Sequence, residues 1–251
     1  MSAAPAPVVM IHGAFCGGWT FDRFRKPFEA AGHSVATPDL PGHAPGENPA
    51  GLSMRDYADA VVHACRACPE PPLLVGHSMG GLASALAATR TPLAGLMLLA
   101  PSAPWGVTGA SMEEAASAFG LYALGPYWLQ SIPPDRTLSD QFSVDRLPAA
   151  ERAQLFSRMT SESGRALFET LNWWLDPMMT TRLAPSTAPT LVVAGGRDTI
   201  HPPATVRQTA ERLGADFLLF EEMSHWLPGE PGWEVVAAAG LEWLQRQPKA
   251  A

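Results

Sequence analysis

Leu73-Leu74-Val75-Gly76-His77-Ser78-Met79-Gly80-Gly81 runs from an apolar, strand-like triplet through G-x-S-x-G into a helical pattern marked by Leu82, Leu86 and Thr89. A chain that turns from strand to helix at one residue needs a strained backbone there. Small neighbours at Gly76 and Gly80 make such a turn sterically possible. The turn lifts the Ser78 hydroxyl above the sheet and aims the N-terminus of the following helix at the same spot. A bare G-x-S-x-G arises by chance; its place between a buried strand and a helix makes Ser78 a candidate nucleophile.

Outward from this segment, short apolar runs alternate with helical stretches, the pattern of a parallel sheet wrapped by helices. Strands are expected at 8–11, 34–38, 73–76, 96–100, 190–194 and 217–220. Several are near-continuous apolar runs, as strands buried on both faces require. Helices are expected at 19–31, 54–68, 79–90, 203–213 and 233–247. The alternation breaks once, over 103–184, where helical patterns occur without a convincing strand. This stretch is rich in large apolar side chains, among them Trp105, Phe119, Tyr122, Tyr127, Trp128, Phe142, Phe156, Phe168, Trp173 and Trp174. A structureless loop of that length does not suit a compact domain. The expected organisation is therefore a catalytic core of 1–102 and 185–251 with a helical cap at 103–184.

A serine hydroxyl is a poor nucleophile until a base takes its proton. Of the 7 histidines, only His201 and His225 follow Ser78. In this architecture the chain order is serine, acid, histidine. His225 follows the expected strand at 217–220 in the loop Glu222-Met223-Ser224-His225-Trp226, which leaves the sheet at its carboxyl edge. His201 lies in a Pro-flanked loop and reads as a rim residue. The acid should leave the preceding strand, and Asp198 in Gly195-Gly196-Arg197-Asp198 is the carboxylate there. The plainer use of such an aspartate is to cap the helix expected from 203. After the first strand, Ile11-His12-Gly13-Ala14-Phe15-Cys16-Gly17-Gly18-Trp19 has the glycines to bend beside the nucleophile. The backbone N–H groups of Ala14 and Met79 are the expected oxyanion donors. His12 reads as structural, holding this loop through its ring nitrogens. His43, near the expected mouth, reads as a solvated loop histidine or as a substrate contact.

Val8 to Gly42, with His12-Gly13-Ala14, Gly17-Gly18-Trp19, Ala31-Gly32-His33-Ser34-Val35 and Pro38-Asp39-Leu40, resembles the opening of two related groups of α/β-hydrolases. One is the plant methylesterase and hydroxynitrile-lyase group; the other is bacterial carboxylesterases of the pyrethroid-hydrolase kind. The resemblance implies the α/β-hydrolase fold, a Ser78–His225–Asp198 triad, and Ala14 and Met79 as oxyanion donors. The superfamily's two leading antiparallel strands have no counterpart here, since only residues 1–7 precede the first expected strand. The cap matches no single member.

The implied activity is hydrolysis of apolar, uncharged carboxylic esters through an acyl-enzyme, with Phe15, His77, Trp105 and Trp226 as candidate substrate contacts. C–C bond hydrolysis of diketones, and a slow or non-catalytic receptor on the same fold, remain open alternatives. Hydroxynitrile lyases generally use an extra lysine. The lysines here, Lys26 and Lys249, fall in the first expected helix and the C-terminal tail. No cofactor or metal is expected, and the partner is a small-molecule ester, with homo-oligomerisation open. A formal charge of −7, with 17 basic residues scattered along 251, argues against a nucleic-acid surface. No signal peptide or membrane span is legible, so cytoplasmic residence is expected. Cys65-Arg66-Ala67-Cys68 spells C-x-x-C, but at the end of a helix it reads as two reduced thiols.

Overall fold

In the computed structural model, which describes residues 5–108 and 120–247, six parallel strands form one sheet. They are β1 (Val8–Ile11), β2 (Val35–Ala36), β3 (Leu73–His77), β4 (Gly95–Leu99), β7 (Thr190–Gly195) and β8 (Asp216–Phe220), paired in the order β2-β1-β3-β4-β7-β8. The helices beside them are α1 (Arg25–Ala30), α2 (Met54–Arg66), α3 (Met79–Ala87), α6 (Pro203–Leu213) and α7 (Trp233–Arg246). Phe119 and its neighbours in 109–119 lie outside the described residues. No antiparallel strand joins the main sheet among the described residues. Nor, among them, is any helix long and apolar enough to cross a membrane.

Alternation along each strand sorts the core into two layers. Val9, Ile11, Leu74, Leu96, Leu98 and Val192 point to the face covered by α2, α3 and α6, where Met54, Tyr57, Val61, Leu82 and Val206 meet them. Val8, Met10, Leu73, Val75, Met97 and Val193 point to the other face, against Phe21, Phe24, Phe28, Val236 and Trp243. Both faces are apolar, which is why these strands read as unbroken hydrophobic runs. β2 is shorter than expected from 34–38: it sits at the sheet edge and pairs only with β1 through Val35 and Ala36. The helix expected over 19–31 is broken into a 3-10 turn (Gly18–Phe21) and α1. Pro27 falls in the first turn of α1, where its missing N–H costs nothing.

The chain leaves β1 toward β2 on one side and returns to β3 on the other, so the strand order reverses between β1 and β3. The loops leaving the carboxyl ends of these two neighbours diverge there and open a crevice. Close approach at this point depends on Gly80, where a β-carbon would stand 2.0 Å from the His12 carbonyl oxygen.

Between β4 and β7 the chain makes its long excursion, whose two ends meet where the Trp105 N–H donates to the Thr181 carbonyl at 3.1 Å. The excursion holds short helices, including α4 (Ala149–Phe156) and α5 (Gly164–Leu171), as the sequence pattern suggests. It also holds one feature the pattern missed: β5 (Ser131–Ile132) and β6 (Glu162–Ser163) pair antiparallel. A two-residue bridge is too short to leave a period in the sequence. Glu169 on α5 accepts the Met54 N–H at 2.8 Å, and Ser163 Oγ donates to the Leu52 carbonyl at 2.5 Å, fastening the excursion to the start of α2.

The contacts at Gly80 set a stability prediction. Gly80→Ala should cost about 3 kcal/mol or more, because backbone on both sides must move. Gly46 has a positive φ of 86° but nothing within 4 Å of its would-be β-carbon, so Gly46→Ala should cost only about 1 kcal/mol. Urea denaturation of the two variants measures this; equal losses would contradict the steric account.

Candidate active site

Ser78 lies between β3 and α3 with φ 54° and ψ −125°, a conformation that L-residues avoid. Its neighbours hold it there. The Ser78 N–H donates to the Leu99 carbonyl at 3.0 Å, and its own carbonyl accepts from Gly81 at 2.9 Å and Ser102 at 3.1 Å. A β-carbon on Gly76 would meet Ser84 Oγ at 2.5 Å, so only glycine fits at the entry to the turn. The side chain emerges at the carboxyl edge and is 9% exposed.

His225, from the loop after β8, reaches Ser78: its Nε2 lies 3.1 Å from Ser78 Oγ. Its Nδ1 lies 2.9 Å from Asp198 Oδ2, in the loop after β7. A carboxylate can only accept, so the proton sits on Nδ1 and Nε2 is free to take one from the serine. Asp198 Oδ1 accepts the Ile200 and His201 N–H groups, each at 2.9 Å. Burial alone would raise the Asp198 carboxyl, but His225, with help from His201, holds it below the usual carboxylate range.

Two further histidine rings flank His225. His77 donates from Nε2 to the His225 carbonyl at 2.9 Å, with ring centroids 4.9 Å apart. His201 is not at the rim: it is 4% exposed, its ring centroid is 5.1 Å from that of His225, and its Nε2 lies 3.1 Å from Ser102 Oγ. Burial, together with the nearby His225, pushes His77 down to about 3 and His201 to about 4, so both rings are neutral near pH 7.

The loop after β1 lies against Ser78, since a β-carbon on Gly13 would stand 2.9 Å from Ser78 Cβ. His12 Nε2 accepts the Leu40 N–H at 2.9 Å, leaving Nδ1 to donate to the Gly13 carbonyl at 2.8 Å. Asp39 accepts the Gly18 N–H at 2.7 Å. Among the described residues neither the Ala14 nor the Met79 N–H has a protein acceptor; Ala14 follows Gly13, and Met79 follows Ser78. His43 is neither solvated nor placed for substrate: it is 3% exposed and bonds to Glu162 Oε2 at 3.0 Å.

Of the expected substrate contacts, His77 and Trp226 lie beside the triad, and Phe15 directly follows Ala14. Trp226 is buried at 4%, with its ring edge-on to His77 at 5.6 Å and tilted against Trp19 at 6.1 Å. Trp105 packs edge-on against Trp173 at 5.6 Å, with the Arg182 guanidinium 5.8 Å above its ring. The residues that sequence reading missed are those of the excursion that touch the catalytic loops. Asp145 accepts from Ser224 Oγ at 2.7 Å, beside His225, and Glu162 accepts the Phe15 N–H at 3.3 Å. An acid whose partner lies far along the chain carries no local signal of that partner. The thiols of Cys65 and Cys68 are free; Cys65 lies on α2, whereas Cys68 lies just past its end at Arg66, because the helix stops short of the expected residue 68.

Residues 8–239 match the alpha/beta hydrolase family. The chain belongs to that family. It is 34% identical over 90 residues to polyneuridine aldehyde esterase of Rauvolfia serpentina, covering 34% of this chain and 33% of that one. It is 33% identical over 96 residues to a pyrethroid hydrolase of Sphingobium wenxiniae, covering 37% and 34%. In these alignments the chain spans about a third of each relative's length. A methylesterase from Arabidopsis superposes over 97% of this chain and 100% of its own, with a TM-score of 0.74 at 15% identity. At that identity the likeness carries the fold alone.

The buried neutral histidines His12, His77 and His201 each make a defined contribution to how stability responds to acid. Unfolded, each takes a proton near its ordinary value of 6.5; folded, His12 waits until about 4, His77 about 3 and His201 about 4. At these three positions the unfolded chain therefore binds more protons between pH 6.5 and about 4, and their contribution to stability is lost as pH falls through that window. Each such histidine contributes a slope of about 1.4 kcal/mol per pH unit there. His201→Gln should make the profile shallower by one proton's slope, measured by chemical denaturation from pH 6.5 to 4.5. An unchanged slope would mean that His201 is charged in the folded protein.

Proposed function

We propose that this chain hydrolyses carboxylic esters through an acyl-enzyme on Ser78, with His225 as general base and Asp198 as the acid that orients it. The observation that carries the reading is the single imidazole bridging Ser78 Oγ at 3.1 Å and Asp198 Oδ2 at 2.9 Å. As Oγ attacks the ester carbonyl carbon, its proton passes to His225 Nε2, and Asp198 stabilises the imidazolium. The negative charge on the carbonyl oxygen is met by the Ala14 and Met79 N–H groups, the latter at the N-terminus of α3. Collapse of the intermediate expels the alcohol, which takes the proton back from His225. Water then repeats the sequence on the acyl-serine, with His225 again the base.

The names borne by the relatives, polyneuridine aldehyde esterase and pyrethroid hydrolase, support this class of reaction. An apolar, uncharged ester is supported by the surroundings of the triad. His77 and His201 are neutral near pH 7, Trp226 adds an apolar wall, and the carboxylates of Asp198 and Glu162 are already hydrogen-bonded. We further read 103–184 as a cap over the carboxyl edge of the sheet. Its closed base and the reach of Asp145 and Glu162 to the catalytic loops support that reading.

Steady-state kinetics on p-nitrophenyl esters test the assignment. Ser78→Ala and His225→Ala should each lower kcat by about 10⁴-fold or more, and Asp198→Asn by about 10²- to 10⁴-fold. Neutral acyl esters should exceed a hemisuccinate ester in kcat/KM by about tenfold or more. Ester turnover that survives in Ser78→Ala would sink the mechanism, and a preference for the charged ester would sink the apolar site.

A further inference from the structure

Four hydrogen bonds converge on the carboxylate of Glu162, a fully buried side chain of the 103–184 excursion. Oε1 accepts from the Tyr57 hydroxyl at 2.5 Å and the Ser163 N–H at 2.6 Å. Oε2 accepts from His43 Nε2 at 3.0 Å and from the Phe15 N–H at 3.3 Å. Four is the accepting capacity of an ionised carboxylate. His43 Nδ1 in turn faces the Pro41 carbonyl at 3.1 Å, so both ring nitrogens meet acceptors and the ring is held as an imidazolium. Burial pulls His43 down, and Glu162 more than offsets it, leaving the ring above its ordinary value. A buried charge pair with every lone pair occupied is costly to disturb on one side only.

The contact at Phe15 links this cluster to the reaction. Phe15 has φ 63° and occupies the third position of a turn closed by the Cys16 N–H on the Gly13 carbonyl at 3.4 Å, a position that favours glycine. The Phe15 N–H goes to Glu162, and the Phe15 carbonyl accepts the Thr160 N–H at 2.9 Å. Both polar groups of this strained residue are therefore held by the excursion. The Ala14 N–H belongs to the same turn, one residue away, and a donor to a developing oxyanion must be placed to a few tenths of an ångström.

We propose that Glu162 is a positioning residue of the oxyanion loop: by gripping the Phe15 N–H against the His43–Tyr57 cluster, it holds the Ala14 N–H where charge develops on the substrate. The cap segment is then part of the catalytic machinery as well as a wall over it. This rests on the ester-hydrolase reading above. Glutamine is not an equivalent at 162. Whichever way its amide turns, the NH2 faces two hydrogen-bond donors that a carboxylate would have accepted.

The test combines Glu162→Gln with two readouts. With p-nitrophenyl acetate, kcat and kcat/KM should fall together by about ten- to a hundredfold with KM within about threefold, the mark of an interaction made in the transition state. Hydrogen–deuterium exchange, which needs no turnover, should quicken at the Phe15 amide. Glu151→Gln, at an exposed pair with Arg23 in the same excursion, should leave both unchanged. If Glu162→Gln fails to fold, Tyr57→Phe strips one hydrogen bond from Glu162 and should move both readouts the same way, by about fivefold. Faster exchange with unchanged kcat would overturn the positioning role and leave the ester-hydrolase reading standing. Unchanged exchange would overturn the grip on Phe15 itself. A wild-type chain inert toward every ester would remove the reading beneath the proposal, and the exchange data would still say whether the grip exists.

Discussion

A left-handed backbone at Ser78 is unfavourable for any residue bearing a β-carbon, and the surrounding architecture holds it in place. The Leu99 carbonyl takes its N–H, while Gly81 and Ser102 donate to its carbonyl. Gly76 and Gly80 leave no space that a larger residue could occupy. That turn can sit on the sheet only if β3 lies between β1 and β4 with all three parallel, because its bracing comes from the ends of both neighbours. The same parallel arrangement places the ends of β7 and β8 along one edge. Asp198 and His225 arrive there on loops that need little further guidance.

Electrostatics follows from burial at this edge. His77 and His201 bracket His225 but stay neutral; in the proposed mechanism His225 is the ring that takes the proton. Asp198 is the ionised partner, kept low by His225 after burial has pushed it up. A second buried charge pair, His43 with Glu162, stands apart from the triad and grips the loop that supplies Ala14. In the proposed mechanism one pair serves the proton, and the other serves the geometry of the oxyanion.

The sequence discloses those features that local pattern alone determines. β3 and β7 lie within a residue of their expected ends because strands buried on both faces are unbroken apolar runs. The convergence of Ser78, Asp198 and His225 is legible from chain order, since a parallel sheet turns order into position. The helix expected from Trp19 onward was misjudged because Phe21, Phe24 and Phe28 keep an apolar face across a break in the helix. Glu162 and His43 were illegible for another reason. They are 119 residues apart, and a pair at that separation leaves no period, spacing or composition to read. His201 looked peripheral because its prolines mark a loop, but a loop folded inward by its own N–H bond to Asp198 is buried.

In the proposed mechanism one particular serine becomes covalently bonded during turnover. The most direct measurement is mass spectrometry of the protein treated with an alkyl fluorophosphonate, intact and then as mapped peptides. A single adduct per chain is expected, on Ser78, absent from Ser78→Ala and forming far more slowly in His225→Ala. An adduct on another serine, or stoichiometric labelling that survives in Ser78→Ala, would contradict it.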